Sequence, residues 1–142
     1  RQQKAQILKE LRIIILNSKK DKEYNKLTTI KGIGAIGAST ILTGTLDIKR
    51  FRSYESFHSF IGLVPSTDNS ANTEKIRGVT QRANRRLRNI FIEASWVAIK
   101  YDTDLHQYYH ELKQRMKGNT AIIRVAKKLA TKVRYNLLEL HT

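Results

Sequence analysis

Residues 27–38 read LTTIKGIGAIGA, and this stretch decides the fold class of the chain. Two apolar residues, Leu27 and Ile30, precede a Gly-Ile-Gly triplet that begins at Gly32. This spacing is typical of a helix-hairpin-helix motif, in which glycine supplies the positive φ angles of a tight turn between two helices. We therefore predict a helix, a glycine turn and a second helix over about residues 27–44.

The predicted turn is a candidate phosphate site. Its glycines let the backbone approach a ligand, and the amides that begin the second helix attract anions through the helix dipole. This hypothesis places Lys31, Gly32, Ile33 and Gly34 against a nucleic-acid backbone, without base preference because phosphates carry no base identity. The alternative is a plain turn between two packed helices. The same glycines also fit a dinucleotide-binding G-x-G-x-x-G, but no strand pattern precedes them.

The rest of the chain shows helical periodicity and no strand-like alternation. Residues 1–25 carry apolar side chains three and four apart, which predicts one long, coiled-coil-like leading helix that docks either on its own domain or on a partner. Further helices are predicted after Ser53, from Thr80 onward and on either side of Gly118. The predicted fold class is all-α, with a linker helix followed by a helical domain over 26–142.

Composition excludes several classes of protein. The 142 residues include no cysteine, which excludes a disulfide scaffold, a thiol nucleophile and a cysteine-bound metal. No apolar run approaches the roughly 20 residues that cross a bilayer. The 27 Lys and Arg outnumber the 12 Asp and Glu, for a net charge of +15, and favour a polyanionic partner such as nucleic acid. A merely basic soluble protein and a membrane-surface binder are the alternatives.

Two basic segments form the predicted nucleic-acid surface. The first runs from the polar stretch at 66–79 into the helix that follows it, and the second lies on the last two predicted helices. Guanidinium and ammonium groups bind phosphates, although a charge run is usually a solvated face. The candidate binding residues are Lys75, Arg77, Arg82, Arg85, Arg86, Arg88, Arg124, Lys127 and Lys128.

The polar stretch at 66–79 is predicted to be a loop and holds the candidate nucleophiles. This stretch contains four hydroxyl side chains directly before the arginine-rich helix, whose charges would stabilise an alkoxide and a pentavalent phosphate, and they are Ser66, Thr67, Ser70 and Thr73. From the residues alone, loop serines that only make turn hydrogen bonds are the alternative. His106 and His110 lie four apart on one helix, a spacing that a metal could use, but the acidic residues are scattered along the sequence. No metal site is therefore predicted.

Several short motifs follow one another along the chain in a defined order and spacing. It consists of Ile30-x-Gly32-x-Gly34, Phe51-Arg52-Ser53, Phe60-Ile61-Gly62-Leu63-Val64-Pro65, Ser70, Gly78-Val79-Thr80, Asn84-x-x-Leu87-Arg88 and Met116-Lys117-Gly118-Asn119-x-Ala121. This ordered set resembles the C-terminal domain of DEDD-type insertion-sequence transposases, the insertion-sequence one-hundred-and-ten group. The resemblance covers about Leu27 to Leu138, and it depends on the whole set rather than on one motif.

The resemblance implies a serine recombinase that moves an element through DNA under the direction of a bridge RNA. The family's nucleophile follows the proline of its Gly-Leu-x-Pro motif by five residues, which corresponds to Ser70, with Ser66 as the fallback. Ala71 and Ala83 depart from the family, which usually has glycine at both positions. The alternative function is a non-catalytic helix-hairpin-helix module that binds DNA without sequence preference.

The resemblance also implies components outside these residues. A RuvC-like N-terminal domain would carry the DEDD acids and bind Mg²⁺, so the chain is expected to be a fragment that holds no cofactor and is inactive alone. The expected partners are DNA, a bridge RNA and further copies of the same protein, with no membrane partner. The expected location is the bacterial cytoplasm, in association with the nucleoid.

Overall fold

Seven α-helices and one 3-10 turn make up the described chain, and no strand occurs within it. The computed structural model describes residues 2–17, 20–63 and 71–141, except for the side chains of residues 11, 12, 15–17 and 71–84. The helices are α1 (Gln2–Asn17), α2 (Asp21–Thr28), α3 (Ala35–Thr45), α4 (Tyr54–Phe60), α5 (Ala71–Tyr101), α6 (Thr103–Lys113) and α7 (Gly118–Glu139), with the 3-10 turn at Ile48–Arg50. The all-α prediction is confirmed.

Helices α5 and α7 form the centre of the fold. α5 packs against α3, α6 and α7, while α7 also packs against α2 and α4. The α7 side of this core is a stripe of buried side chains three and four residues apart, which are Ile122, Val125, Leu129, Val133 and Leu137. Burying each such side chain contributes roughly 1.5–3 kcal/mol. On the α5 side, the fully buried Phe91 meets Phe57 of α4 edge to face, with ring centroids 6.1 Å apart.

Side-chain caps fix where α4 and α6 begin. The Ser53 hydroxyl accepts a hydrogen bond from the Ser56 N–H at 3.1 Å, and the Ser56 hydroxyl accepts one from the Ser53 N–H at 3.2 Å. At α6 the Asp102 carboxylate accepts from the Leu105 N–H at 3.2 Å. Caps of this kind stabilise a helix by about 1 kcal/mol. The predicted helix after Ser53 is confirmed.

The leading segment differs from the single helix predicted over residues 1–25. α1 ends at Asn17 and α2 begins at Asp21, so that prediction is wrong. Lys20 precedes α2 with φ −104° and ψ 22°, outside helical geometry. The first turn of α2 contains Asp21 and Glu23, and carboxylates there stabilise a new helix N-terminus through the helix dipole.

Residues 71–79 of the polar stretch also differ from the predicted loop, because they are helical. α5 begins at Ala71, nine residues before the helix start predicted at Thr80, so Lys75 and Arg77 belong to the helix. Helix propensities differ by less than about 1 kcal/mol per residue among these residue types. A helix already nucleated by the packed residues around Leu87 therefore extends through them.

The predicted glycine turn joins α2 to α3 and lies directly against α5. Gly32 has φ +95°, and a Cβ at this position would lie 2.3 Å from the carbonyl oxygen of Ala94 in α5. Gly34 is different, because its φ is −97° and a Cβ there would meet nothing within 4 Å. The first glycine is thus required by packing, whereas the second is an exposed N-cap of α3.

These two glycines provide a matched test of the turn. Gly32→Ala should lower the free energy of unfolding by about 2–4 kcal/mol, because it adds a strained φ and a backbone clash. Gly34→Ala should change it by less than about 1 kcal/mol, since it affects only a cap position. Urea unfolding followed by circular dichroism measures both. Equal losses in the two variants would contradict the packing role assigned to Gly32.

Candidate nucleic-acid interface

The glycine turn places four predicted phosphate-binding residues in different surroundings. Gly34 and Lys31 are exposed, whereas Ile33 is only 4% exposed and packs into the core. The backbone of Gly32 packs against Ala94 of α5, so the close approach that its missing side chain permits is to α5. The surface that the turn offers to a ligand therefore consists of Gly34 and the first turn of α3, which no side chain caps.

Lys31 has a partner within the fold. Its ammonium donates a hydrogen bond to the carbonyl oxygen of Tyr101, the last residue of α5, at 2.8 Å. A cation at a helix C-terminus interacts favourably with the helix dipole and with carbonyls that lack a helical partner. Lys31 thus ties the turn to the end of α5 while its charge stays at the surface.

The arginines of α5 divide between two directions. Arg85 and Arg86 are exposed and line a shallow depression together with Asn89, Ile90 and Glu93. Glu93 was not among the predicted residues of this surface, and its carboxylate reduces the positive charge there. Of the predicted α5 arginines, Arg85 and Arg86 are those that the structure places in this depression.

Arg88 does not belong to that depression. It is half-buried, and its Cδ lies 3.5 Å from the position that a Cβ on Gly62 would occupy. Two groups of predicted site residues lie outside what the structure describes. The side chains outside the described set are those of Lys75, Arg77 and Arg82. The candidate nucleophiles outside the described residues are Ser66 and Ser70. The last residue before α5 along the chain is Ser70.

A second cationic surface is a groove between α4, α6 and α7. Four α7 residues share one helix face because they are three or four apart, and they are Arg124, Lys127, Lys128 and Thr131. Tyr54 and His58 of α4 and Tyr108 of α6 line the same groove. The three predicted α7 cations are thus brought together. The α4 residues were missed, because no local pattern shows that α4 packs against α7.

His58 is buried at the base of this groove. Its Nε2 lies 3.0 Å from the Thr131 hydroxyl oxygen, and that hydroxyl donates to the Lys127 carbonyl at 2.9 Å. Burial lowers the pKa of His58 below its ordinary value, assisted by the positive charge of Lys127 and opposed by the Lys127 carbonyl and by Glu55. The imidazole is therefore neutral near pH 7, and the cationic character of the groove comes from α7.

The acidic and histidine side chains near α6 have structural partners. Burial alone would raise the pKa of Asp102, but the Leu105 N–H and Lys132, whose Nζ lies 3.5 Å away, together lower it. His106 Nδ1 lies 3.0 Å from the Ile99 carbonyl, and its ring centroid is 4.3 Å from that of His110. Within the described ranges, no three His, Asp or Glu side chains are grouped so as to hold a metal ion.

The fold and these surfaces define a basic, all-helical domain with an arginine surface on α5 and a cationic groove on α7. A family profile described as "Transposase IS116/IS110/IS902 family" matches residues 24–110, and the chain belongs to that family. The match includes the glycine turn, α4 and all of α5.

Curated relatives from three bacteria agree with this assignment. A Pseudomonas aeruginosa protein named "Probable family 20 transposase" is 25% identical over 130 residues, which cover 89% of this chain and 38% of the relative. The transposase for insertion sequence element IS1328 of Yersinia enterocolitica is 28% identical over 78% of this chain and 34% of its own length. The transposase for IS1111A of Coxiella burnetii is 27% identical over 59% and 23%.

The chain therefore spans less than two fifths of these relatives' lengths. No solved structure matches it. Among the described helices, none combines the length and the hydropathy that a bilayer crossing requires.

The buried His58 should make stability depend on pH. Its pKa is lowered in the folded state, so protons bind the unfolded chain more readily and the free energy of unfolding should fall as pH drops below about 6.5. Urea unfolding at about pH 7.5 and pH 5.5 measures this loss. His58→Gln should show a smaller loss, while an unchanged pH dependence in that variant would contradict the assignment to His58.

Proposed function

We propose that this chain is the part of a DNA transposase that binds nucleic-acid phosphates and supplies the serine nucleophile for strand cleavage and exchange. The observation that carries the proposal is the family match over residues 24–110, which spans Ser70 and the α5 arginines. The net charge of +15 supports a polyanionic partner. The exposed positions of Arg85 and Arg86 support phosphate contacts on the helix that begins directly after Ser70.

The proposed chemistry is a transesterification at a DNA phosphate. The Ser70 Oγ attacks phosphorus, a serine–phosphate bond forms and the bond to the leaving deoxyribose oxygen breaks. The serine proton ends on that leaving oxygen, so the step needs neither oxidant nor reductant. The α5 arginines would stabilise the charge that develops on the phosphate oxygens. In the fallback, Ser66 takes the same role.

The proposed enzyme needs a Mg²⁺ site, which we assign to another part of the full-length protein. The described residues of this chain contain no cluster of three potential metal ligands, so they do not fit a Mg²⁺ site. In the proposal, Mg²⁺ is bound by the acidic residues of a RuvC-like domain elsewhere in the full-length protein. A composite active site of this kind would form in the bacterial cytoplasm on nucleoid DNA, with a bridge RNA selecting the target.

The first helix supports self-association within this proposal. Ile7 and Ile14 of α1 are each 51% exposed, although the helix packs beside α2 and α3. Exposed isoleucines at this spacing are typical of a helix that pairs with another helix. We propose that α1 contributes to the homo-oligomer that a recombination reaction requires.

The nucleophile can be tested in the full-length protein with its guide RNA. Ser70→Ala should abolish the covalent protein–DNA adduct, detected by denaturing electrophoresis with a labelled substrate, while the dissociation constant for DNA stays nearly unchanged. Ser66→Ala is the matched control and should keep the adduct. The reverse pattern would transfer the role to Ser66. Adduct formation by the double variant would exclude both serines as the nucleophile, whereas DNA binding with no adduct in the unmodified protein would favour the non-catalytic DNA-binding alternative.

The phosphate contacts can be tested by salt dependence. The logarithm of the affinity for duplex DNA should fall linearly with the logarithm of the salt concentration, because binding releases counterions. Arg85→Ala and Arg86→Ala should each reduce that slope by about 1. Lys26→Ala is the control, because Lys26 Nζ already lies 3.7 Å from Glu139. Slopes equal to that of the unmodified protein would contradict the α5 contact.

A further inference from the structure

The groove between α4, α6 and α7 contains features that duplex phosphate binding does not use. It is an open groove of about 370 Å³, which is within the size range of small-ligand sites. Its α7 wall is cationic, and its other walls contain the aromatic rings of Tyr54, His58 and Tyr108. Cations alone suit any polyanion, whereas cations beside exposed aromatic rings suit a polyanion with flat, stackable groups.

The α7 cations of the groove are not neutralised by the fold. Arg124, Lys127 and Lys128 take part in none of the ion pairs formed within the described ranges. Lys132, one turn further along α7, is instead paired with Asp102 at 3.5 Å. Glu55, an exposed residue of α4, is an acidic neighbour of His58 but does not line the groove. The net charge of the groove is therefore positive and is concentrated on one helical turn.

The aromatic rings have separate roles. Lys128 Nζ lies 3.8 Å above the centroid of the Tyr108 ring, so this ring holds the ammonium over the groove by a cation–π contact. Tyr54 is 48% exposed, and its ring centroid lies 5.6 Å from that of His58 at an angle of 59°. His58 is fixed in turn by the Thr131 hydroxyl. Tyr54 is thus a supported ring whose exposed surface remains open to a ligand.

We propose that this groove binds a single-stranded segment of nucleic acid, with an unpaired base stacked on Tyr54 and the adjoining phosphates held by Arg124, Lys127 and Lys128. Bases within a duplex already stack on one another, so only an unpaired base can offer its face to the ring. The proposal depends on the proposed function, because it assigns a second, structurally separate part of the same nucleic-acid interface. In this assignment, duplex binds at the α5 arginines and single strand binds at the groove.

The test compares single-stranded and duplex binding by the full-length protein in a fluorescence anisotropy assay. The probes are a 12-nucleotide oligothymidylate, the equivalent oligouridylate and a mixed-sequence DNA duplex. Tyr54→Ala should weaken single-strand binding by about fivefold to a hundredfold, because the stacking of one base on an aromatic ring contributes a factor in that range. Tyr54→Phe keeps the ring and should bind within about twofold of the unmodified protein. Duplex affinity should stay unchanged in both.

Matched controls separate the groove from the rest of the surface. Tyr101→Ala removes a tyrosine that is 64% exposed outside the groove, and it keeps the backbone carbonyl that Lys31 uses. It should leave single-strand binding unchanged. Arg85→Ala should weaken duplex binding without affecting the oligothymidylate. Of the two single-stranded probes, the one that loses more affinity in Tyr54→Ala identifies DNA or RNA as the natural source.

Three results would overturn the proposal. One is single-strand binding by Tyr54→Ala that equals that of Tyr54→Phe. Another is duplex binding with no single-strand binding in the unmodified protein, which removes the groove assignment but leaves the proposed function intact. The third is competition by polyglutamate that depends on Tyr54 as strongly as oligothymidylate does, which would assign the groove to acidic peptides. Binding of neither nucleic acid would refute the proposed function itself.

Discussion

The close approach of the glycine turn to α5 is the contact on which the rest of the structure depends. The backbone at Gly32 reaches the Ala94 carbonyl so closely that one additional carbon atom would not fit. This contact holds α3 across α5 and brings Lys31 to the carbonyl of Tyr101. The uncapped start of α3 and the α5 arginines consequently belong to one packed unit. Their relative positions follow from a backbone contact rather than from flexible side chains.

The distribution of charge separates cations that maintain the fold from cations that are available to a ligand. Lys26 and Lys132 form ion pairs, and Lys31 satisfies a helix terminus. The exposed cations Arg86 and Lys128 lie instead on separate surfaces, on α5 and in the groove. An excess of like charge opposes compaction, so the buried stripe of α7 must offset this repulsion. Such an excess is understandable where a polyanion neutralises it on binding.

Local sequence patterns predicted the features that local physics controls. The α7 stripe follows from the helical period, and the start of α4 follows from the cap at Ser53, so both could be predicted. The start of α5 at Ala71 could not, because weak propensities there yield to continuation from packed residues further along. The α7 side of the groove was predicted from the sequence, but the α4 side was not. Its α7 cations form a visible run, whereas Tyr54 and His58 come from a helix about 70 residues earlier and meet them only through tertiary packing.

The length of α5 has a geometric consequence for the proposed active site. This helix contains 31 residues and is therefore about 46 Å long, and Ser70 joins its first residue. Each residue turns a helix by about 100°, so inserting or deleting one residue before the buried Leu87 would rotate every earlier position around the axis. The direction in which the serine end of the helix faces is thus set by a count of residues. Related domains with the same site should differ in residue type along this segment far more readily than in its length.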